Sequence, residues 1–290
     1  MKDASVLIVG CGDLGVRAGT ALLQRGWSVA GVRRDATRLP TMFLGHAVDY
    51  TQPASLSFVE TLRPDFILAI FNPADRSISG YRLGFQTAMD NLLSGLGQHR
   101  PRHILMTSST RVFAEAQGGW VDESSAVTTD DSAALAMLAA ERALLESGNN
   151  ASVVRFAGIY GNPDNFLIAR ISRGERCPPA PVSYTNRIHR EDCAAFLVHL
   201  LLKANAGATL RSLYIGVDDD PAPQYEVQCW LAERLGIPDH DKKGQAQRSE
   251  SASRSVSGNK RCRNLALHQS GYQLKYPDYR SGYTALLASR

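Results

Sequence analysis

No stretch of this 290-residue chain approaches the roughly 20 consecutive apolar residues that a membrane-spanning helix needs, so no membrane association is expected. No run of lysines and arginines stands out, and the formal net charge is only +4, so nothing supports a nucleic-acid partner. Cysteine is sparse. The five residues Cys11, Cys177, Cys193, Cys229 and Cys262 are odd in number, widely spread and free of any Cys-x-x-Cys pair. Neither a disulfide framework nor a zinc or other metal site is indicated, and a reducing cytoplasm is the expected setting. The apolar run at the N-terminus is short and leads straight into glycines without a small-residue cleavage site, which argues against a signal peptide. No internal repeat is visible. The remainder, 44% hydrophobic and 21% charged, is ordinary for a globular protein. The length suits one large α/β domain, or a main domain with a smaller lobe.

What is present is an alternation of strand and helix signals, the pattern of a parallel sheet covered by helices. Strands are expected at Val6–Val9, Ser28–Val32, Gly45–Asp49, Asp65–Phe71, His103–Thr107, Ser152–Phe156 and Ser212–Gly216. The run Asp65–Phe71 is continuously apolar after its first residue, as a strand buried on both faces should be. Helices are expected at Arg17–Arg25, Tyr81–Leu96, Ala133–Glu146, Cys193–Lys203 and Gln224–Leu235, with Asp192 placed to cap the fourth. The polar, Ser-rich stretch Asp239–Gly258 reads as a mobile loop, and Arg261–Leu287 as a segment packing back on the second lobe. The expected fold is α/β: a doubly wound Rossmann sheet with a small C-terminal lobe. Residues 1–160 form the dinucleotide-binding domain, and 161–290 complete the sheet through 187–216 and build the lobe.

The strongest chemical signal is Gly10-Cys11-Gly12-Asp13-Leu14-Gly15, a Gly-x-Gly-x-x-Gly pattern that follows a strand and opens a helix. In that setting Gly10 makes the tight turn, Gly12 lets backbone approach a pyrophosphate, and Gly15 seats the helix against the strand. The helix N-terminus then faces the diphosphate with free N–H groups and a positive dipole end. At the end of the second strand, where an acidic residue would select NAD, stand Arg33 and Arg34. Guanidinium groups there pair with a 2′-phosphate, so NADP is the expected cofactor and NAD the alternative; solvated surface charge is the other reading of these arginines. Asp49, ending the third strand, reaches either the adenine amino group or its own loop. Phe71, ending the fourth strand, completes the candidate cofactor set.

With Ser108-Ser109-Thr110-Arg111-Val112-Phe113 added, the chain resembles an atypical extended short-chain dehydrogenase/reductase of the NAD-dependent epimerase/dehydratase family. Arg155-Phe156-Ala157-Gly158-Ile159-Tyr160-Gly161 and Arg187-Ile188-His189-Arg190-Glu191-Asp192 resemble later segments of that family, in the same order. The resemblance implies chemistry by a Ser and a Tyr-x-x-x-Lys pair, the Tyr exchanging a proton with a substrate hydroxyl or carbonyl. Ser109 matches the family Ser by its spacing to Val112-Phe113; binding its own backbone at a strand end is its alternative role. The pair is missing. Aligned on Leu138-x-x-Glu141, Ala133 stands at the Tyr position and Met137 at the Lys position, and no Tyr-x-x-x-Lys occurs anywhere. The glycine loop departs too, since extended members carry Gly-x-x-Gly-x-x-Gly.

Tyr160 is the candidate substitute acid, with a place in the pocket wall as its alternative. His189 either titrates near neutrality as a substitute acid or, as expected, positions the second lobe, and Asp122 and Glu123 either face the cleft or, as expected, serve a cap or turn. Lys260, Arg261 and Arg263 either bind a diphosphate, as basic residues of this lobe do in relatives acting on nucleotide sugars, or pair on the surface. Two function classes follow. One is an NADP-dependent oxidoreductase or epimerase acting on a small, sugar-like hydroxyl or carbonyl substrate. The other is a catalytically silent dinucleotide sensor. The resemblance also implies a homodimer through the helices near Tyr81–Leu96 and Ala133–Glu146.

Overall fold

A computed structural model describes residues 4–238 and 258–288. Seven strands form one sheet: β1 (Ser5–Val9), β2 (Ser28–Arg33), β3 (Leu44–Ala47), β4 (Phe66–Ala69), β5 (His103–Ser109), β6 (Ala151–Phe156) and β7 (Leu213–Gly216). Their order is β7-β6-β5-β4-β1-β2-β3, and every neighbouring pair is parallel. The fold is therefore the doubly wound α/β arrangement that the alternating signals imply. The strand order reverses between β1 and β4, which opens a crevice at their carboxyl ends.

The period-2 alternation of side chains along each strand divides the core in two. Ile8, Phe66, Leu68, Leu105 and Val154 point to one face, beneath the helices Asp13–Leu23 and Arg190–Asn205. Leu7, Val9, Ile67, Met106 and Val153 point to the other, beneath Ala88–Gly95 and Ser132–Leu145. A buried ion pair pins the latter helix to the sheet, with Arg155 of β6 donating to Glu141 at 2.6 Å.

Three expectations are corrected. The helix after the glycines begins at Asp13, not Arg17, so its first turn borders the loop directly. The helix expected over Tyr81–Leu96 begins at Ile78 and passes through a π-helical stretch, Arg82–Thr87, before resuming as Ala88–Gly95. That stretch contains Gly84, where a Cβ would lie 2.2 Å from the Asn72 carbonyl oxygen; only glycine permits so close an approach. Asp192 does not cap its helix. The helix starts at Arg190 and His189 is its cap, Nδ1 accepting from the Glu191 N–H at 3.3 Å. Asp192 is instead buried in the first turn, accepting from the Tyr272 hydroxyl (2.8 Å) and from the backbone N–H groups of Lys275 (2.7 Å) and Tyr276 (2.9 Å). It ties the C-terminal segment to this helix.

The lobe rests on three short ladders: Gly158–Tyr160 with Arg187–His189, Tyr184–Thr185 with Ala222–Pro223, and Trp120–Val121 with Arg261–Cys262. Its own core joins Ile168, Ile171, Val227, Leu231, Tyr279 and Leu286. The loop expected over Asp239–Gly258 lies outside the described residues except for Gly258. Among the described residues no helix is long and apolar enough to cross a membrane, and no group of His, Cys, Asp and Glu could hold a metal ion.

Candidate functional site

The glycine turn is built as its spacing implies. Gly10 has φ +79°, a left-handed conformation, and a Cβ on it would stand 2.1 Å from the Ile70 carbonyl oxygen. The turn closes through hydrogen bonds from the Cys11 N–H to the Val32 carbonyl (2.9 Å) and from the Gly12 N–H to the Gly10 carbonyl (2.8 Å). Cys11 is buried within it, and burial pushes its thiol up to about 12. A Cβ on Gly15 would meet Ile8 Cγ2 at 2.9 Å, so this glycine seats the helix on β1. At Gly12 a Cβ would find only the Gly10 carbonyl oxygen, 4.0 Å away. Gly12 is also the N-cap of helix Asp13–Leu23 and supplies no side-chain cap. The first-turn N–H groups, those of Asp13, Leu14 and Gly15, therefore face open space over a glycine, as an anion cradle requires. Asp13 would oppose an anion, but its carboxylate is turned to Arg17 (3.1 Å) and Arg190 (3.7 Å).

Arg33 ends β2 half-buried and Arg34 follows it exposed. Neither makes an ion pair with a carboxylate among the described residues. Arg33 follows Val32, whose carbonyl accepts from the Cys11 N–H of the glycine turn. Asp49 holds its own loop, accepting from the Thr51 hydroxyl (2.6 Å) and N–H (3.0 Å), and these bonds keep its carboxyl below the usual range. Phe71 is buried with its ring 5.3 Å from that of Tyr50, and Tyr50 in turn borders Gly10.

Ser109 ends β5. Its Oγ accepts from the Arg111 N–H at 3.1 Å, and its own proton has no acceptor among the described residues. Across the loop, the helix Ser132–Leu145 begins at Asp131, which accepts from the N–H groups of Ala133 (3.0 Å) and Ala134 (3.2 Å). Asp131 also holds Arg111 through two bonds of 2.6 and 3.1 Å, and Arg111 donates to the Tyr81 hydroxyl at 3.2 Å. Ala133 and Met137 are both buried, so neither position is filled by a displaced polar group. Ala133 lines a cavity of about 500 Å³ with Arg76, Tyr81, Arg111, Asp131 and Ser132. Tyr81, Arg111 and Asp131 come together here only through the fold.

A larger cleft of about 760 Å³ lies between sheet and lobe, and Asp13, Tyr160, Asn165, Asn186, Arg187 and Arg190 are among its walls. Tyr160 is one of those walls, but its hydroxyl is directed at the Asp278 carbonyl (3.5 Å) and lies under Gly282. Burial pushes its phenol well above the ordinary range, and the ring packs on Tyr283 and His189. The side chain is placed as packing, not as a free acid. Arg187 is buried in the cleft wall with one guanidinium nitrogen unpaired. Near it, Asp218 is buried with both carboxylate oxygens unpaired, and burial raises its carboxyl to about 8.

Asp122 and Glu123 serve the loop: Asp122 accepts from Ser124, and Glu123 from the Ile215 N–H at 3.1 Å. The basic residues at 260–263 are not surface ion pairs. Arg261 lies between the rings of Trp120 (4.9 Å) and Tyr184 (4.7 Å), Arg263 lies over Trp120, and Lys260 is buried.

A Rossmann sheet, an open glycine turn at its topological switch point and a lobe closing a cleft over β5 and β6 define the extended short-chain dehydrogenase/reductase architecture. No protein-family model matches the chain. The structure of a candidate NAD-dependent epimerase/dehydratase from Methylobacillus flagellatus is 35% identical, with a TM-score of 0.82 over 99% of this chain and 98% of that one. Escherichia coli K12 protein YeeZ is 25% identical over 217 residues, 72% of this chain and 76% of YeeZ. Likeness of fold alone extends to the human epimerase family protein SDR39U1, solved with NADPH (16% identity, TM-score 0.72, 99% and 100% covered). It extends also to Bordetella bronchiseptica WbmH, solved with NAD+ (18%, 0.64, 82% and 83%). The chain belongs to the NAD-dependent epimerase/dehydratase family.

Proposed function

We propose that this protein is an NADP-dependent enzyme of the oxidoreductase or epimerase type, acting on a hydroxyl or carbonyl group of a small, sugar-like substrate in the cleft between sheet and lobe. The observation that carries this reading is the uncapped helix N-terminus beside the open face of Gly12. A nicotinamide dinucleotide bound there supplies the hydride chemistry. The chain's own part is to hold it. The N–H groups of Asp13, Leu14 and Gly15 take the diphosphate, while Arg17 and Arg190 keep the Asp13 carboxylate aside. Arg33 and Arg34, which form no ion pair with a carboxylate among the described residues, suit a 2′-phosphate; each charge-assisted bond contributes about 1.5–3 kcal/mol. SDR39U1 with NADPH and WbmH with NAD+ support a nicotinamide dinucleotide of either kind, and the arginines favour NADP. Ser109, its proton uncommitted, holds the reacting oxygen of the substrate.

A second reading is a silent dinucleotide sensor, favoured by one observation: buried Ala133 and Met137 occupy the positions of the family's Tyr and Lys. The two separate in one experiment. Purified protein is titrated with NADPH and NADH by calorimetry, then incubated with NADPH and a panel of sugars, ketones and aldehydes. Tight binding with steady oxidation above the cofactor-only blank supports the enzyme, and tight binding without turnover supports the sensor. Absence of dinucleotide binding overturns both.

A further inference from the structure

The cavity beside Ala133 still holds a phenol, although the family's Tyr is gone from the helix that lines it. Tyr81 enters the same cavity from the short helix Ile78–Tyr81, which follows β4. Two glycines hold that helix down. A Cβ on Gly80 would strike the side chain and backbone of Asp75, and one on Gly84 would strike Asn72, Pro73 and Ala74. The helix therefore lies directly on the loop that leaves β4, and the Ala74 N–H donates to the Gly80 carbonyl (3.0 Å) across the contact. Tyr81 is the last residue before the π-helical stretch Arg82–Thr87, a distortion frequent at functional sites. Its side chain is half-buried, with the ring stacked 6.0 Å from that of Phe85.

The hydroxyl of Tyr81 is oriented by Arg111. Asp131 grips Arg111 through Nε (2.6 Å) and Nη2 (3.1 Å), which leaves Nη1 to donate to the Tyr81 oxygen at 3.2 Å. The guanidinium carbon stands 5.3 Å from the centre of the Tyr81 ring. The phenol thus accepts a charge-assisted bond, while its own proton has no acceptor among the described residues. The Arg111 backbone N–H meanwhile donates to Ser109 Oγ at 3.1 Å, so one residue joins the phenol to the Ser that ends β5. Arg76, Arg111, Asp130 and Asp131 are the charged groups of the cavity wall, and Asp131 is committed to Arg111 and to the helix start. A hydroxyl that accepts from a cation and keeps its proton free is arranged to give that proton up. The same bond then holds the oxyanion left behind.

We propose that Tyr81 is the proton donor of this protein, its hydroxyl entering from the helix after β4 the cavity that the family's Tyr enters from the position of Ala133, with Arg111 in the supporting part of the family's Lys. The proposal rests on the dinucleotide-enzyme reading above. In reduction of a carbonyl substrate, hydride from the reduced dinucleotide goes to carbon. The Tyr81 O–H bond breaks as the new O–H bond forms on the carbonyl oxygen. The products are the alcohol, the oxidised dinucleotide and a Tyr81 phenolate, which Arg111 holds until water returns the proton. Oxidation runs the same transfers in reverse.

The test is a pH titration of tyrosinate absorbance in the near ultraviolet, on protein saturated with NADP+ and on protein saturated with NADPH. Subtracting the Tyr81→Phe curve from the wild-type curve isolates Tyr81 among the ten tyrosines. The two cofactors differ by the positive charge of the nicotinamide ring. A phenol at the reacting position is therefore expected to ionise about one pH unit lower with NADP+ bound than with NADPH bound. Difference curves that coincide for the two cofactors overturn the proposal and leave the cofactor reading intact. Failure of both dinucleotides to bind in parallel calorimetry takes both down. On any carbonyl compound turned over in the NADPH screen, Tyr81→Phe is expected to lower kcat about 100-fold at unchanged KM. Wild-type turnover in that variant also overturns the proposal.

Discussion

Gly12→Val separates the fold of the glycine turn from its use. The backbone at Gly12 has φ −86° and ψ −155°, an extended conformation open to any residue. A Cβ there meets nothing nearer than 4.0 Å, so the change in unfolding free energy is expected to stay within about 0.5 kcal/mol. Gly10→Ala is the control. Its φ of +79° and a Cβ contact of 2.1 Å with backbone impose left-handed strain and overpacking together. The expected cost is about 2–6 kcal/mol, a large part of a typical domain's stability. For the dinucleotide the order reverses, because the valine would stand over the N–H groups of Asp13 and Leu14. Losing one charge-assisted bond costs about 1.5–3 kcal/mol, or roughly 10- to 150-fold in Kd. Thermal unfolding and calorimetric titration with NADPH measure the two quantities on the same samples. A folded Gly12→Val with wild-type affinity refutes the reasoning, and so does a Gly10→Ala that melts with the wild type.

Arg33→Ala is expected to erase a preference for NADPH over NADH while leaving NADH affinity nearly unchanged; titration with both cofactors checks this, and an unaltered ratio counts against a 2′-phosphate site. Glu141→Ala leaves Arg155 charged and buried without its 2.6 Å partner, and denaturant unfolding should show a loss of about 3–5 kcal/mol. Asp218 gives a pH signature. Its folded carboxyl titrates near 8 because of burial, so between about pH 4 and 8 the native state holds a proton that the unfolded chain has released. Its contribution is complete below the unfolded value and is lost as pH rises toward 8. Asp218→Asn should therefore gain on the wild type as pH rises from 5 to 8 in chemical unfolding curves; parallel curves would contradict the burial.

Much of this protein follows from local chemistry that a linear reading can see. The apolar run Asp65–Phe71 reads as a strand buried on both faces, and the turn between β1 and the first helix needs glycine at positions 10 and 15, whereas Gly12 keeps the space over the helix start open. The loss of the family's Tyr and Lys is equally legible, since a helix of Ala and Met carries no proton to exchange. Helix starts were less legible. Asp192 has the chemistry of a cap, yet its carboxylate is satisfied by backbone more than 80 residues away, and His189 caps instead.

Tertiary structure alone decided which polar groups are free. Tyr160 follows its strand as a catalytic phenol might, but the approach of Gly282 buries its oxygen against another helix. Lys260 opens the basic stretch Lys260–Arg263, which reads as a diphosphate site or as surface, but the parallel pairing of Arg261–Cys262 with Trp120–Val121 buries most of its side chain. Local sequence sets what a side chain can do. Long-range packing decides whether water, a partner or nothing satisfies it, and that is the difference between a structural residue and a reactive one.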